Sequence, residues 1–339
     1  RKTKGEYFML VSLKVDNCFV FNDETEFSMR ADMRNKRFSS NVVKYDGCNI
    51  LKSAMIIGPN NSGKTCLIKV VKMIKNIILD QPIVSSRNIF SENHICSFEI
   101  DFWEDNSEYI FAVKLDEVRK EYVYEKFAEI RYDEYKNRKE SIYILRDSSE
   151  HRYECLDDEV ASLMKVASKN NLIMNSFDST QFSILEKIKH ILLSFVSRID
   201  IVDMNNIPIN KTLDILKASD EKKQKVVNFI VNADLYLDDI KYISDDEVKS
   251  SYSIIKSDDD ELKAQENILN APASLYNLLH MVSVYKGREL PSILFDSTGT
   301  KKITAIASYV IDALEQGKIL IVDELDNSLH FKLTRAIIS

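Results

Sequence analysis

The stretch Gly58-Pro59-Asn60-Asn61-Ser62-Gly63-Lys64-Thr65 constrains this chain more than any other. It fits G-x-x-x-x-G-K-[ST], a pattern that needs a strand before it and a helix after it. Ala54-Met55-Ile56-Ile57 reads as the buried strand, and Cys66 to Ile78 reads as the helix, apolar at Leu67, Ile68, Val70, Val71 and Ile74. In that setting successive backbone N–H groups turn inward, and the first helical turn adds unpaired donors and partial positive charge. The arrangement suits a chain of phosphates. Lys64 is expected to bridge the β- and γ-phosphates, and the Thr65 hydroxyl to bind Mg²⁺. Gly58, Asn60, Asn61, Ser62, Gly63 and Cys66 complete the expected nucleotide-binding stretch. Glycine is scarce, 7 in 339 residues, yet Gly58 and Gly63 fall in this pattern and Gly299 in a second motif, which argues against coincidence.

A length of 339 residues implies one large or two moderate domains. Hydrophobic residues at 45% and charged residues at 29% suit a globular protein with a sizeable core. The net charge of −7 excludes a surface that is basic throughout, although a local basic patch for nucleic acid stays open. The cysteines (Cys18, Cys48, Cys66, Cys96, Cys155) show no metal-ligand spacing and read as free thiols of a reducing cytoplasm. No run of 18 apolar residues and no signal peptide is visible, so a membrane is not an expected partner. The sequence given starts at Arg1, not Met, and stops at Ser339 inside an apparent helix.

Along the chain, Met9 to Val20 reads as a strand with Glu24 to Met29 as its partner, and Asn35 to Asn49 as polar loop. Ser97 to Phe102, Glu108 to Val113 and Glu129 to Tyr132 alternate with period two, the pattern of an antiparallel meander with one wet face. Residues 156 to 285 read mostly as helix. Ile184, Leu185, Ile188, Ile191, Leu192, Phe195 and Val196 form one apolar stripe, and Val226, Val227, Phe229 and Ile230 another. Acidic runs at Asp245-Asp246-Glu247 and Asp258 to Glu261 read as exposed loops. Ser292 to Phe295 reads as a short strand or extended segment. Lys301 to Leu314 reads as helix, with Ile303, Ile306, Tyr309, Val310 and Leu314 on one face and Gly317 at its end. Lys318 to Val322 has the continuous apolar character of a central parallel strand. The expected domains are residues 1–94, 95–150 (antiparallel β), 151–287 (mainly helical insertion) and 288–339.

Ile319 to Val322 ends in Asp323-Glu324, which is a Walker B signal. Asp323 is expected to hold Mg²⁺ and its water shell, and Glu324 to act as general base toward the attacking water. Asp323 stands 265 positions after Gly58, so a long insertion must separate the two half-motifs.

Three further stretches carry a family resemblance. Leu325-Asp326-Asn327-Ser328-Leu329-His330 resembles the D-loop of ABC-type ATPases. Asp296-Ser297-Thr298-Gly299-Thr300-Lys301-Lys302 resembles their signature motif in its S-x-G-T-K form. Met9 to Phe19 looks like the first strand of the SMC, RecF and OLD-like branch. From about residue 9 to 339 the chain is similar to ABC-like AAA-family ATPases of prokaryotic antiphage and abortive-infection systems. The resemblance implies an α/β P-loop NTPase of ABC-ATPase head type, with an antiparallel β subdomain and an inserted helical subdomain. It implies ATP and Mg²⁺ as cofactors, and a homodimer or higher oligomer in which two heads sandwich ATP. Ser297 and Gly299 of one head would meet the γ-phosphate held by Lys64 of the other, with Asp326 communicating across the pair. It also implies an effector partner, a nuclease or toxin, and the cytoplasm as location. The chain departs from the family in having no clear Q-loop glutamine (Gln81 and Gln181 are candidates). Phe331 stands where relatives commonly have proline, and His330 is not the switch histidine.

Other readings remain open at this level. Asp296-x-x-Gly299 also fits a GTPase loop, but Asn210 to Asp214 is one residue too long for N-K-x-D. An ATP-gated scaffold without turnover that holds a toxin, an SMC/RecF-like DNA-repair clamp, and the ATPase half of a nuclease are the alternatives.

Overall fold

The computed structural model describes residues 8–34, 39–45, 47–83, 86–104, 107–135, 137–205, 209–218, 221–233, 236–248 and 279–325. The chain divides into two compact units, Arg1–Ile199 and Asp200–Ser339.

The first unit contains, in chain order, β1 (Met9–Asp16), β2 (Thr25–Ser28), β3 (Val42–Lys44), β4 (Asn49–Leu51), α1 (Lys64–Ile78), β5 (Ile95–Glu104), β6 (Ser107–Asp116), β7 (Glu121–Tyr132), β8 (Arg138–Asp147), β9 (Arg152–Cys155), α2 (Asp158–Met164), α3 (Ile173–Ser176) and α4 (Ser183–Ser197). Its main sheet is antiparallel in the order β2-β1-β5-β6-β7-β8-β9. The expected pairing of the first two strands is present, with Leu13 opposite Phe27. β1 also pairs with β5, so the meander and the N-terminal strands share one sheet.

Three expectations for this unit change. The region from Asn35 to Asn49, which reads as loop, contains half of a hairpin, Val42 facing Leu51 across β3 and β4. Polar composition masked it, because only Val42, Val43, Ile50 and Leu51 supply apolar side chains to the pair. The meander has no wet face at its centre. Glu108 through Val113 are all buried, because both sides of the sheet are covered. On one side Cys48 and Ile50 of the hairpin cluster with Val11 and Trp103. On the other, Phe102 stacks on Phe195 of α4 at 4.0 Å between ring centres. The third change concerns Ala54-Met55-Ile56-Ile57, which forms no strand and is exposed, Ile57 at 85%. A strand needs a neighbour for its backbone groups, and no described strand pairs with these residues. An apolar run alone does not supply that ladder.

The stripe on α4 is buried as expected at Leu185, Ile188, Ile191, Leu192, Phe195 and Val196. Helix α1 likewise buries Val70, Val71, Met73, Ile74, Ile77 and Ile78.

The second unit follows with β10 (Ile199–Asp203), α5 (Asn210–Lys217), α6 (Glu221–Asn232), β11 (Asp239–Tyr242), β12 (Met281–Tyr285), β13 (Arg288–Pro291), α7 (Ser292–Phe295), α8 (Thr298–Gln316) and β14 (Ile319–Asp323). β11, β12 and β13 form an antiparallel sheet, and β10 pairs with β14. Leu213, Leu216, Val226, Ile230, Ile240, Met281, Ala305, Ala307 and Ile311 make a shared core from α5, α6, α8 and the three-stranded sheet. The Thr212 hydroxyl lies 3.0 Å from the Thr304 carbonyl, which satisfies a polar group inside that core.

Ser292 to Phe295, expected to be extended, is a single helical turn that leads into α8. On α8, Ile303, Ile306 and Val310 are buried, whereas Leu314 is 77% exposed and leaves the expected face. Gly317 ends the helix in the left-handed region, at φ 64°. β14 is half-buried along its whole length rather than enclosed. β10 is its only described strand neighbour, and α8 covers Leu320 and Val322 through Ile306 and Val310. The Asp245-Asp246-Glu247 run is exposed as expected but helical rather than loop, because the Glu247 carboxylate accepts the Ser244 N–H at 2.8 Å and starts the turn; Asp258 to Glu261 lies outside the described residues.

Candidate functional site

The phosphate-loop pattern belongs to the first unit. Asn60, Asn61 and Ser62 are exposed, and Gly63 stands at φ 94° as the residue before α1. That backbone region costs a side-chain-bearing residue strain, and a Cβ at Gly63 would also come within 3.0 Å of Val20 Cγ2. Helix α1 then starts at Lys64 with no side chain capping it. Its first-turn N–H groups therefore keep their dipole and donors for an outside anion. The Lys64 ammonium bends back across the loop, 2.7 Å from the Gly58 carbonyl and 2.8 Å from that of Pro59. A Cβ at Gly58 would meet Ser62 Oγ at 2.7 Å, so the loop closes tightly on itself. Thr65 is exposed beside Lys64, and Cys66 is half-buried on the helix. Among the described thiols Cys18, Cys48 and Cys96 are buried and all five cysteines are free.

The acid pair belongs to the second unit. Asp323 closes β14, and Glu324 follows it, exposed and at φ 55°. The end of β10 braces both. The Met204 N–H donates to the Asp323 carbonyl at 3.1 Å, and the Asn205 side-chain amide donates to Glu324 Oε2 at 2.6 Å. Asn205 was not legible as a site residue, because only the β10–β14 pairing brings it there. Asp203, which reads as a surface acid, is exposed.

The signature-like turn lies in the same unit, at the head of α8. Ser297 is exposed and caps the helix by accepting the Thr300 N–H at 3.1 Å. Gly299 sits in the first turn, half-buried. Asp296, one residue before Ser297, is buried, and its carboxylate accepts from the Ser283 and Tyr285 hydroxyls, each at 2.8 Å. Asp326 and the D-loop residues after it lie outside the described residues.

Among the described residues no group of three or more His, Cys, Asp or Glu side chains could hold a metal ion. Mg²⁺ needs no such cage, since one or two protein oxygens plus phosphate and water suffice. Thr65 and Asp323 are oxygen donors of that kind, and the uncapped loop fits a polyphosphate. No described helix is long and apolar enough to cross a membrane.

A glycine-turned loop feeding an uncapped helix within a mixed α/β architecture is the class of arrangement found here, without the strand that the motif ordinarily has before it. Residues 53–339 match the family described as "AAA domain, putative AbiEii toxin, Type IV TA system", and the chain belongs to that family. Among solved structures the chain is similar to the SMC head domain from Thermotoga maritima, at 13% identity and a TM-score of 0.40, over 97% of this chain and 83% of that one. No curated protein matches it.

Proposed function

We propose that the chain is a Mg²⁺-dependent ATPase that pairs with a second copy around ATP and controls an effector protein, a nuclease or toxin, in defence against phage. The observation that carries this reading is the loop itself. Gly63 in the left-handed region delivers Lys64 to the uncapped start of a 15-residue helix, which equips one spot to hold a triphosphate. The family's description as part of a type IV toxin–antitoxin system supports the defence setting.

On this reading the loop N–H groups from Asn60 to Thr65 and the Lys64 ammonium bind the phosphates. Thr65 of the first unit and Asp323 of the second would each offer an oxygen to Mg²⁺, which would supply charge neutralisation of the phosphates. Glu324 accepts a proton from the attacking water, and Asn205 fixes the orientation of that carboxylate. Ser297 and the head of α8 approach the γ-phosphate held by the other copy, and Asp326 links the two sites. Hydrolysis then removes the shared ligand that holds the pair together.

The test is a mass measurement of the purified chain in solution with and without ATP and Mg²⁺, together with phosphate release. ATP-dependent doubling of mass with turnover supports the reading. A mass that ignores ATP rejects the pairing. Stable pairing with no phosphate release replaces the enzyme by an ATP-gated scaffold.

A further inference from the structure

Gly63 sets the aim of the phosphate loop and cannot hold that aim alone. At φ 94° it stands in the left-handed region, which glycine enters and leaves without a side-chain penalty. Its carbonyl accepts the Leu67 N–H at 3.0 Å in the first turn of α1. A change of φ at Gly63 would therefore swing the loop from Gly58 against a helix that stays in place. One side of its Cα is walled: a Cβ there would meet Val20 Cγ2 at 3.0 Å and the Phe21 ring at 3.5 Å. Both residues belong to a turn after β1 that is itself fixed. Cys18 and Phe21 exchange backbone hydrogen bonds at 2.9 and 2.8 Å. The Phe19 N–H donates to the Ser86 carbonyl, and the Asn17 side-chain amide donates to the carbonyls of Asn93 at 2.8 Å and Ile95 at 2.9 Å. Asn17 and Phe19 also stand in the left-handed region, at φ 53° and 50°, a conformation that persists where the surrounding bonds over-determine the backbone. Val20 itself is 50% exposed, so little of the core depends on it.

We propose that Val20 and Phe21 are positioning residues that confine Gly63 to its left-handed conformation and so keep the loop preorganised for a chain of phosphates. This rests on the ATP binding proposed above. The two side chains are apolar and offer a phosphate no donor, so they act through Gly63. Without the wall, glycine regains φ of either sign, and the share of free protein with a competent loop falls. Apparent affinity falls by that same fraction.

The test compares two probes, ATP and inorganic tripolyphosphate, each read by displacement of a fluorescent ATP analogue from dilute, unpaired protein, with the melting temperature measured beside it. Val20→Ala should raise the Kd of both probes by the same factor, about fivefold, as a competent fraction of about one fifth requires. Its melting temperature should stay close to that of the wild type. Gly63→Ala meets both the backbone strain and the Val20 methyl, and should bind both probes more weakly still. In the Gly63→Ala, Val20→Ala variant the clash is gone. Its loss should be smaller than the product of the two single losses, since residues in contact are not additive. The same cycle is read in melting temperatures, which need no ligand.

Unchanged binding of both probes by Val20→Ala overturns the proposal. So does a loss confined to ATP, which would put Val20 against the base rather than behind the loop. Single losses that simply multiply in the double variant overturn it too, as does weaker binding that merely tracks a fall in melting temperature. If the wild-type chain binds neither probe, the functional reading fails and this inference fails with it. The melting-temperature cycle still reports the contact between Gly63 and Val20, and so distinguishes that outcome from a wall without effect on binding.

Discussion

The side-chain amide of Asn205 donates to the Glu324 carboxylate at 2.6 Å, joining the end of β10 to the acid pair that ends β14. Glu324 is exposed, so a hydrogen bond that holds its carboxylate contributes directly to its aim. Glu324→Gln is expected to bind ATP normally and to lose turnover by at least about a hundredfold, the usual worth of a positioned general base. Asn205→Ala keeps the base but loosens it, and a milder loss of about five- to tenfold follows. Phosphate release and equilibrium ATP binding separate the two effects. Wild-type rates in Glu324→Gln would remove it as the base.

At the other end of the proposed chemistry, Lys64 lies within 2.8 Å of two loop carbonyls. Lys64→Ala should lower ATP affinity by about tenfold to a hundredfold or more, the range of a lost charge-assisted contact. Its melting temperature should change little, because Lys64 takes no part in the hydrophobic core. Gly63→Ala should act differently. It must adopt φ near 94° and press on Val20, so it should distort the loop and lower both affinity and stability, the latter by about 1–2 kcal/mol. Calorimetric titration and thermal melts read both variants. Unchanged ATP binding by Lys64→Ala refutes its assignment to the phosphates.

The motif-bearing turns were the legible part of this protein. The loop from Gly58 to Thr65 and the stop at Gly317 are written in local chemistry, where glycine has few other reasons to stand where it does; the cap at Ser297 was not, since the helix reads as starting at Lys301. The stripes on α1 and α4 were legible because a 3.6-residue period survives any tertiary context. Ala54 to Ile57 misled because apolar character is necessary for a buried strand but does not provide a neighbouring one. The both-sided burial of β6 was hidden for the opposite reason. Its Glu108 reads as a solvent-facing acid, whereas it is fully buried and paired with Arg30 and with the Tyr132 hydroxyl at 2.6 Å. Asn205 meets Glu324 only through the β10–β14 pairing, and a linear pattern holds no trace of that.

Near that buried acid, Asp101 gives the protein a pH-dependent stability. Burial pushes its carboxyl up to about 6, against the opposing pull of Arg138, whose guanidinium lies 2.9 Å away, and of Arg30. The folded state holds this proton up to about pH 6, whereas an unfolded aspartate releases it near 3.8. Between those values the native state carries more protons than the unfolded one, so stability falls as pH rises through the window. Asp101→Asn should remove that fall, about 2–3 kcal/mol across the window. Urea unfolding at several pH values from 4 to 7 measures it, and parallel curves for the two proteins would show that Asp101 does not titrate there.

Glu125 and Arg146 form an ion pair at 2.9 Å with each side chain only 1% exposed. Arg146 also donates to the carbonyls of Ser168 at 3.1 Å and Asn171 at 3.0 Å, and Glu125 accepts the Ile173 N–H. The pair thereby fastens the segment before α3 to β7 and β8. Burial drives the Glu125 carboxyl upward, and Arg146 opposes it. Removing one partner strands the other charge inside the protein. Arg146→Met should therefore cost about 3–5 kcal/mol, and Glu125→Leu a comparable amount. The combined Glu125→Leu, Arg146→Met variant removes both charges and should cost clearly less than the two single losses together, leaving only the orphaned backbone groups of Ser168, Asn171 and Ile173 to account for. Urea unfolding of the four proteins gives the coupling directly. Losses that simply add would mean the two charges are stabilised independently of each other.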